Sequence, residues 1–426
     1  MAEGVYPVGR AEVPGTRTTP AEVEHKTAAE AGERGSLFEV LRVATRLGLT
    51  SFGGPVAHLG YFRNEYVVKR KWLSEKTYAD LIALCQFLPG AASSKLGMSI
   101  GILRAGPLGG LVAWLGFTLP SAAALTGVAL LTDNASPHTI DLLHGLKVVA
   151  VAVVAQAVWG MAKNLAPDKP RGTIAIAAAA LVFILPITFG QLTIIAVSAV
   201  IGWRFLGSDN EQKPVDVPVP VPRWVGITCW VLFIALLAGL PILRSVINSQ
   251  SLAMGDSFYR SGALVFGGGH VVLPLLQSQV VPPDWISKDH FLTGYGFAQA
   301  VPGPLFTFAA YLGTAMNQPP NGVAGAALAL VAIFLPSMLL TYGALPWWSS
   351  LRGHPAAQAA LRGVNAAVVG ILLAALYSPV FTSSILRPAD FVLALAAFGL
   401  LMIWKCPPWI VVLFSGIGGA LIATLG

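Results

Sequence analysis

Residues 291–351, FLTGYGFAQAVPGPLFTFAAYLGTAMNQPPNGVAGAALALVAIFLPSMLLTYGALPWWSSL, contain no Asp, Glu, Lys or Arg. A helix needs roughly 20 mainly apolar residues to cross the hydrocarbon core of a bilayer, so this run is long enough for two spans and a tight turn. Other stretches of at least that length also lack these charged residues: 105–132, 172–203, 224–243 and 363–386. The pattern predicts a chain that crosses a membrane several times.

The composition excludes a soluble globular domain. Hydrophobic residues make up 55% of the chain, charged residues only 11%, and the mean hydropathy is +0.69. Soluble domains carry about 25% charged residues. Closed β-barrels also cross membranes, but their strands alternate apolar and polar residues. Stretches such as Ile174–Leu185 and Trp224–Leu237 are continuously apolar. The fold class is therefore predicted to be an all-α integral membrane protein.

Charge and cysteine usage give little sign of other partners. The net charge of +7 lies in loops between apolar segments, which favours anionic lipid and the cytoplasmic face over nucleic acid. Residues 1–36 are polar and predict a disordered cytoplasmic tail without a cleavable signal peptide. Cys85, Cys229 and Cys406 lie far apart in apolar segments, as expected of small buried hydrophobes. Their spacing fits no metal site, so no metal or cofactor is expected.

The two halves of the chain carry the same short motifs in the same order. A polar and Pro-rich linker, residues 207–223 (GSDNEQKPVDVPVPVPR), separates them. The matching motifs are offset by 213 to 218 residues, which indicates an internal duplication. They are Phe52-Gly53-Gly54 and Phe266-Gly267-Gly268, Trp72-Leu73-Ser74 and Trp285-Ile286-Ser287, Gln86-Phe87-Leu88-Pro89-Gly90 and Gln299-Ala300-Val301-Pro302-Gly303, Leu119-Pro120 and Leu335-Pro336, and Leu143-His144-Gly145 and Leu361-Arg362-Gly363.

The duplication predicts an architecture. Residues 37–206 form a first repeat and 251–426 a second, joined by a connecting transmembrane helix at 224–250. An odd helix after an even number of segments reverses the second repeat, so we expect about 13 transmembrane or re-entrant helices in two inverted repeats. Basic loops favour a cytoplasmic N-terminus in the plasma membrane. The basic residues of 63–76 conflict with this unless the segment 38–62 re-enters, and the sequence leaves that open.

Glycine-rich motifs interrupt apolar segments at corresponding places in the two halves. Glycine lets the backbone leave helical geometry, and free N–H groups at the start of a half-helix bind anions. Close helix packing through glycine is the alternative. The adjacent histidines titrate near neutral pH, although an interhelical hydrogen bond is the more common role of a lone histidine in a membrane helix. The substrate-binding candidates of this first pair of breaks are Phe52, Gly53, Gly54, His58, Phe266, Gly267, Gly268, Gly269 and His270.

A second pair of breaks is formed by Pro-Gly motifs, each preceded by a glutamine. A glutamine can donate to a ligand or cap the backbone carbonyls that the break frees. Two serines and a lysine, Ser93, Ser94 and Lys95, follow the first of these breaks. A lysine inside an apolar segment indicates a functional site unless it extends to the interface. The candidates here are Gln86, Pro89, Gly90, Ser94, Lys95, Gln299, Pro302 and Gly303, with Lys147 and Asn365 at matching places further along.

The scarcity of carboxylates favours an anionic substrate. No acidic residue occurs between Asp80 and Asp133 or between Asp289 and Asp390, whereas cation carriers place carboxylates in the membrane. A membrane-embedded enzyme is disfavoured because the chain lacks paired carboxylates, a metal-spaced cluster and an activated nucleophile. It also lacks a phosphate-binding loop for ATP. A secondary carrier working by alternating access is the main hypothesis, and an anion channel is the alternative.

The motifs together resemble the chromate transporter family, long two-domain type. The likeness lies in TRLGLTSFGGPVAHLGYF (45–62), KWLSEKTYADLIALCQFLPGAASSKLGMSIG (71–101), SGALVFGGGHVVLPLL (261–276) and GYGFAQAVPGPLFTFAAYLG (294–313). It covers nearly the whole chain after residue 36. The resemblance implies a plasma-membrane transporter that exports chromate and confers chromate resistance. Sulfate or another oxyanion is the alternative substrate, and a homodimer is left open.

One departure from the family pattern concerns the first Pro-Gly break. The family carries Pro-Gly-Pro followed by a glutamine, whereas Ala91 and Lys95 stand at those positions here. The added positive charge would tighten the binding of a dianion or change the specificity.

Overall fold

The structure is a computed structural model that describes residues 35–52, 54–132, 137–184, 187–207, 219–266, 271–348 and 355–425. Nearly all of the predicted N-terminal tail and most of the 207–223 linker lie outside the described residues. The described residues fold into helices joined by short connections, and none of them is in a β-strand. The predicted all-α class is confirmed.

The first half folds into a series of helices that ends before the linker. They are α1 Leu37–Thr50, α2 Gly54–Phe62, α3 Glu75–Phe87, α4 Ala92–Ala105, α5 Pro107–Thr132, α6 Pro137–Leu165, α7 Lys169–Ile184 and α8 Ile187–Phe205. A π-helical segment, Arg63–Lys69, extends α2. After the linker, α9 spans Arg223–Val246.

The second half repeats this order of long and short helices. They are α10 Gln250–Ala263, α11 Val272–Val280, α12 Lys288–Ala300, α13 Phe308–Thr314, α14 Gly322–Ala344, α15 Pro355–Ala375, α16 Pro388–Met402 and α17 Pro408–Leu425. A short 3-10 turn, Leu305–Thr307, leads into α13, and a π-helical segment, Leu376–Phe381, follows α15.

The repeated Trp-x-Ser motif has a local structural cause. Ser74 and Ser287 are the N-cap residues of α3 and α12. Each hydroxyl accepts a hydrogen bond from the backbone N–H three residues later, at Thr77 and His290. These bonds satisfy a donor that a helix N-terminus otherwise leaves free. The duplicated serine therefore fixes where the helix before each Pro-Gly break begins.

Helices long and apolar enough to cross a membrane occur in both halves and between them. They are Pro107–Leu131, His144–Leu165, Arg223–Val246, Gly322–Trp347 and Gln358–Ser384. Only 6% of the apolar window of Arg223–Val246 is buried by the rest of the protein, as expected of a helix surrounded by lipid. Several other helices are too short to span alone. The expectation of about 13 segments therefore stays a prediction.

Each half packs partly on itself and partly on helices of the other half. Near the start of each half, α1 and α4 pack on α5, and α10 and α13 pack on α14 in the same way. The last two helices of each half instead pack on the opposite half. The pair α16 and α17 packs on α6 of the first half, while α7 and α8 pack on α15 of the second. Residues Gly35–Gly426 consequently form one compact unit.

Small residues let these exchanged helices approach closely. A Cβ added at Gly145 on α6 would lie 2.1 Å from the carbonyl oxygen of Ser415 on α17. A Cβ added at Gly370 on α15 would lie 2.0 Å from the carbonyl oxygen of Ala175 on α7. Membrane helices associate by such backbone contact because lipid gives them no hydrophobic driving force.

The contact at Gly145 predicts a position-dependent effect of alanine. Gly145→Ala should lower the unfolding temperature of the detergent-solubilised protein, because the new methyl group meets backbone that cannot move aside. Gly160→Ala on the same helix is the matched control, since nothing lies within 4 Å of a Cβ there. Alanine favours a helix by about 1 kcal/mol over glycine, so the control should be as stable as wild type or more so. Equal unfolding temperatures for the two variants would contradict the packing.

Candidate functional site

The two Pro-Gly breaks are each hydrogen-bonded to the opposite half. The backbone N–H of Gly90, after α3, donates to the carbonyl oxygen of Val265 at 2.6 Å. The N–H of Gly303, after α12, donates to the carbonyl oxygen of Ser51 at 2.9 Å. Sequence offsets of 213 and 214 relate Gly90 to Gly303 and Ser51 to Val265. The bonds are therefore reciprocal, and we name them the Gly90 clasp and the Gly303 clasp.

Only glycine fits at the two clasps. Gly90 and Gly303 have φ angles of +102° and +108°, which L side chains rarely adopt. A Cβ at Gly90 would lie 2.2 Å from the Ser337 Oγ, and one at Gly303 would lie 2.7 Å from the Ser121 Oγ. Each break is thus pressed against a serine of the opposite half, on α14 and α5 respectively.

Both serines also form hydrogen bonds, Ser337 with the break itself and Ser121 within its own helix. The N–H of Ala91 donates to the Ser337 Oγ at 3.0 Å, and the Ser121 hydroxyl donates to the carbonyl oxygen of Thr118 at 3.1 Å. Neither serine is among the residues predicted from sequence. A signal was present, because the duplicated Leu119-Pro120 and Leu335-Pro336 motifs are both followed by serine. Ser51 and Val265 act through main-chain carbonyls, which leave no mark on side-chain identity.

Lys95 is buried beside the Gly90 clasp. Its side chain is fully enclosed, so it does not extend to an interface. The Nζ donates to the carbonyl oxygens of Leu88 and of Pro89, the latter at 2.9 Å. These are carbonyls that the helix break leaves without an intrahelical donor. Among the described residues, no carboxylate forms an ion pair with Lys95.

His58 supports the Gly303 clasp. Its ring is fully buried, with centroids 6.4 Å from Phe62 and 5.4 Å from Phe117. The Nε2 lies 3.2 Å from the Ser51 carbonyl oxygen, the atom that also accepts the Gly303 N–H. In the tautomer protonated on Nε2, His58 donates a second hydrogen bond to this carbonyl. His58 thereby stabilises the position of Ser51.

Other predicted residues lie at accessible positions around the breaks. Gln86 is exposed and Gln299 half-buried. The remaining residues of this kind are half-buried, namely Phe52, Gly54, Pro89, Phe266, Pro302 and Gly303. Gly54 has a φ of +76° and begins α2. Gly53, Gly267, Gly268, Gly269 and His270 lie outside the described residues.

The structure does not bring Lys147 to the breaks. Its Nζ lies 3.0 Å from the Asp289 Oδ1, near the N-terminus of α12. The Gly303 break follows the C-terminus of that helix, about 20 Å further along its axis at 1.5 Å per residue. Asn365, at the matching place on α15, is half-buried. Lys147 thus joins α6 to α12 as an ion pair.

The fold and this centre define an all-α integral membrane protein whose interrupted helices meet between two duplicated halves. A family model described as "Chromate transporter" matches residues 38–203 and 252–420. These two segments cover most of the chain, so the protein belongs to the chromate transporter family.

Individual relatives agree with this assignment. The chain is 26% identical to a chromate transport protein of Pseudomonas aeruginosa over 337 residues, which cover 77% of each chain. It is 26% identical over 378 residues to one of Cupriavidus metallidurans, covering 87% of this chain and 89% of the relative. An uncharacterised transporter of Methanocaldococcus jannaschii is 25% identical over 345 residues, 80% of this chain and 83% of that one. No solved structure is significantly similar to the chain.

The clasps predict that alanine at either break abolishes transport. Gly90→Ala and Gly303→Ala combine an unfavourable backbone conformation of about 1–3 kcal/mol with a collision against a serine hydroxyl. Gly106→Ala is the matched control, because Gly106 also has a positive φ, +75°, but open space around its Cβ position. Transport into proteoliposomes, at equal reconstituted protein, should fall to background for the first two variants only. Loss of flux in all three variants alike would show that strain, not the clasp, is responsible.

Proposed function

We propose that the protein exports chromate across the plasma membrane by alternating access between two inverted repeats, residues 37–206 and 251–426. The connecting helix in 224–250 would reverse the second repeat, with the N-terminus in the cytoplasm. Membership of the chromate transporter family supports the substrate. The same order of helices in both halves and the reciprocal clasps support the repeat. Carriers of this kind bind substrate near the midplane, at the interface of the repeats.

The observation that carries the proposal is the fully buried amine of Lys95. An ammonium group inside a membrane protein is costly to bury unless an opposite charge or strong hydrogen bonds compensate it. Two carbonyl oxygens provide part of this compensation, and an ammonium has three donors. A tetrahedral dianion next to the Gly90 clasp would supply the opposite charge. The accessible residues of the breaks, such as Gln86 and Gln299, would line its route.

A cell-based measurement tests the substrate and the direction together. Cells that express the protein should accumulate less labelled chromate than vector controls, and they should grow at higher chromate concentrations. Identical accumulation in the two strains would refute chromate export. In proteoliposomes, a saturable rate distinguishes a carrier from a channel. Excess sulfate measures how strongly a second tetrahedral dianion competes.

Substitutions of Lys95 separate its charge from its hydrogen bonds. Lys95→Gln keeps donors for the Leu88 and Pro89 carbonyls but removes the charge, and glutamine is the residue that the family pattern places here. We expect this variant to fold and to transport chromate with an affinity at least about tenfold weaker, since one attraction between opposite charges, about 4 kcal/mol at 4 Å near a protein surface, is lost.

Lys95→Met is the companion variant. It removes the donors as well as the charge, so the carbonyls freed by the break are left unsatisfied. We expect its transport to be lost and its unfolding temperature to be lower than that of Lys95→Gln. The apparent affinity for chromate is measured in proteoliposomes at low and high salt. An unchanged affinity in Lys95→Gln would place the substrate elsewhere.

A further inference from the structure

Helix packing in the first half brings Lys95 level with Thr118. The helices α4 and α5 are consecutive and run antiparallel, with the Cβ position of Gly101 2.4 Å from the Gly109 carbonyl oxygen and 2.8 Å from the Ala113 Cβ. Ser94 and Lys95 lie about two turns from this contact toward the start of α4. Thr118 lies about two turns from it toward the end of α5. Because both helices rise 1.5 Å per residue, these three residues lie at the same height along the axes of α4 and α5.

The first two helices bring Ser51 and His58 to the same level. A Cβ at Gly48, three residues before Ser51, would lie 2.7 Å from the carbonyl oxygen of Phe117. The ring of His58 lies 5.4 Å from the ring of Phe117, which precedes Thr118. These four polar residues of the first half, and His58, therefore lie at the level of residues 117 and 118. We name Ser51, Ser94, Lys95 and Thr118 the polar layer.

Hydroxyl groups of the polar layer are buried without hydrogen-bond partners. Ser51, Ser94 and Thr118 are at most 1% exposed. In the described part of the chain, no group bonds to the Ser51 Oγ, the Ser94 Oγ or the Thr118 Oγ1. Leaving such a group unsatisfied costs about 1–3 kcal/mol, so three of them at the level of the buried Lys95 indicate a ligand that accepts hydrogen bonds.

The equivalent level of the second half is hydrophobic. The repeat offsets place apolar residues where four of the polar side chains stand, and the fifth place is taken by Thr307. The counterparts of Ser51, His58, Ser94, Lys95 and Thr118 are Val265, Val272, Thr307, Phe308 and Phe334. The two valines and two phenylalanines are fully buried in one hydrophobic cluster. Thr307 is satisfied within its own turn, donating to the Pro304 carbonyl oxygen at 2.7 Å.

We infer that each chain binds one oxyanion, in the polar layer of the first half, although the chain contains two equivalent breaks. This inference rests on the proposed function and adds where the substrate binds and how many bind. The hydroxyls of Ser51, Ser94 and Thr118 donate to the oxyanion, and the Lys95 ammonium balances part of its charge. His58 is a positioning residue, because its Nε2 donates to the Ser51 carbonyl. The second half contributes backbone contacts through its clasp residues and no ligand.

The stoichiometry of binding is the direct test. Chromate is titrated into the purified full-length protein in detergent, and bound chromate is measured by equilibrium dialysis. We expect one chromate per chain. Two equivalent sites per chain would overturn the inference. Absence of both chromate binding and chromate transport would instead contradict the proposed function.

Matched substitutions in the two halves locate the site. Thr118→Val and Ser94→Ala each remove one hydroxyl of the polar layer and should weaken chromate binding about tenfold, the usual effect of losing a hydrogen bond to a charged ligand. Thr307→Val, at the place equivalent to Ser94, should change the dissociation constant less than twofold. Unfolding temperatures and size-exclusion profiles establish that the variants fold.

Comparing the unfolding temperature with the chromate affinity of each variant separates a binding role from a structural one. Removing an unsatisfied buried hydroxyl does not cost stability, so Thr118→Val should unfold at the same temperature as wild type or higher while binding chromate more weakly. Equal weakening by Thr307→Val, or wild-type affinity in both first-half variants, would overturn the placement of the oxyanion.

Discussion

The reciprocal hydrogen bonds of the two Pro-Gly breaks are the constraint on which the rest of the centre depends. A helix that ends inside a membrane protein leaves backbone groups that must find partners, because neither lipid nor water is available to them. Here the N–H groups of Gly90 and Gly303 find theirs on the opposite half, at Val265 and Ser51. Each break is stable only while the other half is in place. The clasps therefore account for the single compact unit formed by the two repeats.

The packing of the terminal helices on the opposite half also holds the two halves together. The terminal helices of each half pack on a long helix of the other half, α16 and α17 on α6 and α7 and α8 on α15. Backbone contacts at Gly145 and Gly370 make these interfaces close. The two halves are thus joined by different means, hydrogen bonds at the clasps and small-residue packing along α6 and α15.

The class of fold could be predicted from the composition, and the location of the breaks from the duplicated motifs. It also identified Lys95 from the cost of a charge in an apolar segment. It missed Ser121 and Ser337, although serine follows both Leu-Pro motifs, because a small hydroxyl residue in an apolar run has many uses. Ser51 and Val265 act through carbonyl groups, which every residue carries. Lys147 was named as a lysine in an apolar segment with a matching residue in the second half, whereas its ion pair with Asp289 depends on how α6 and α12 pack.

The unequal chemistry of the two halves has a physical reason. A carrier must complete part of its cycle without substrate, and a buried ammonium without a counter-ion opposes that step. One lysine can be tolerated because the Leu88 and Pro89 carbonyls bind its ammonium at the break. A second lysine at Phe308 would double the buried charge and repel the first across a medium of low dielectric constant. Placing Phe308 and Phe334 in the hydrophobic core instead keeps the second half stable in the absence of substrate. A duplicated fold that transports a single dianion is therefore expected to keep its polar layer in one half and to fill the other with apolar side chains.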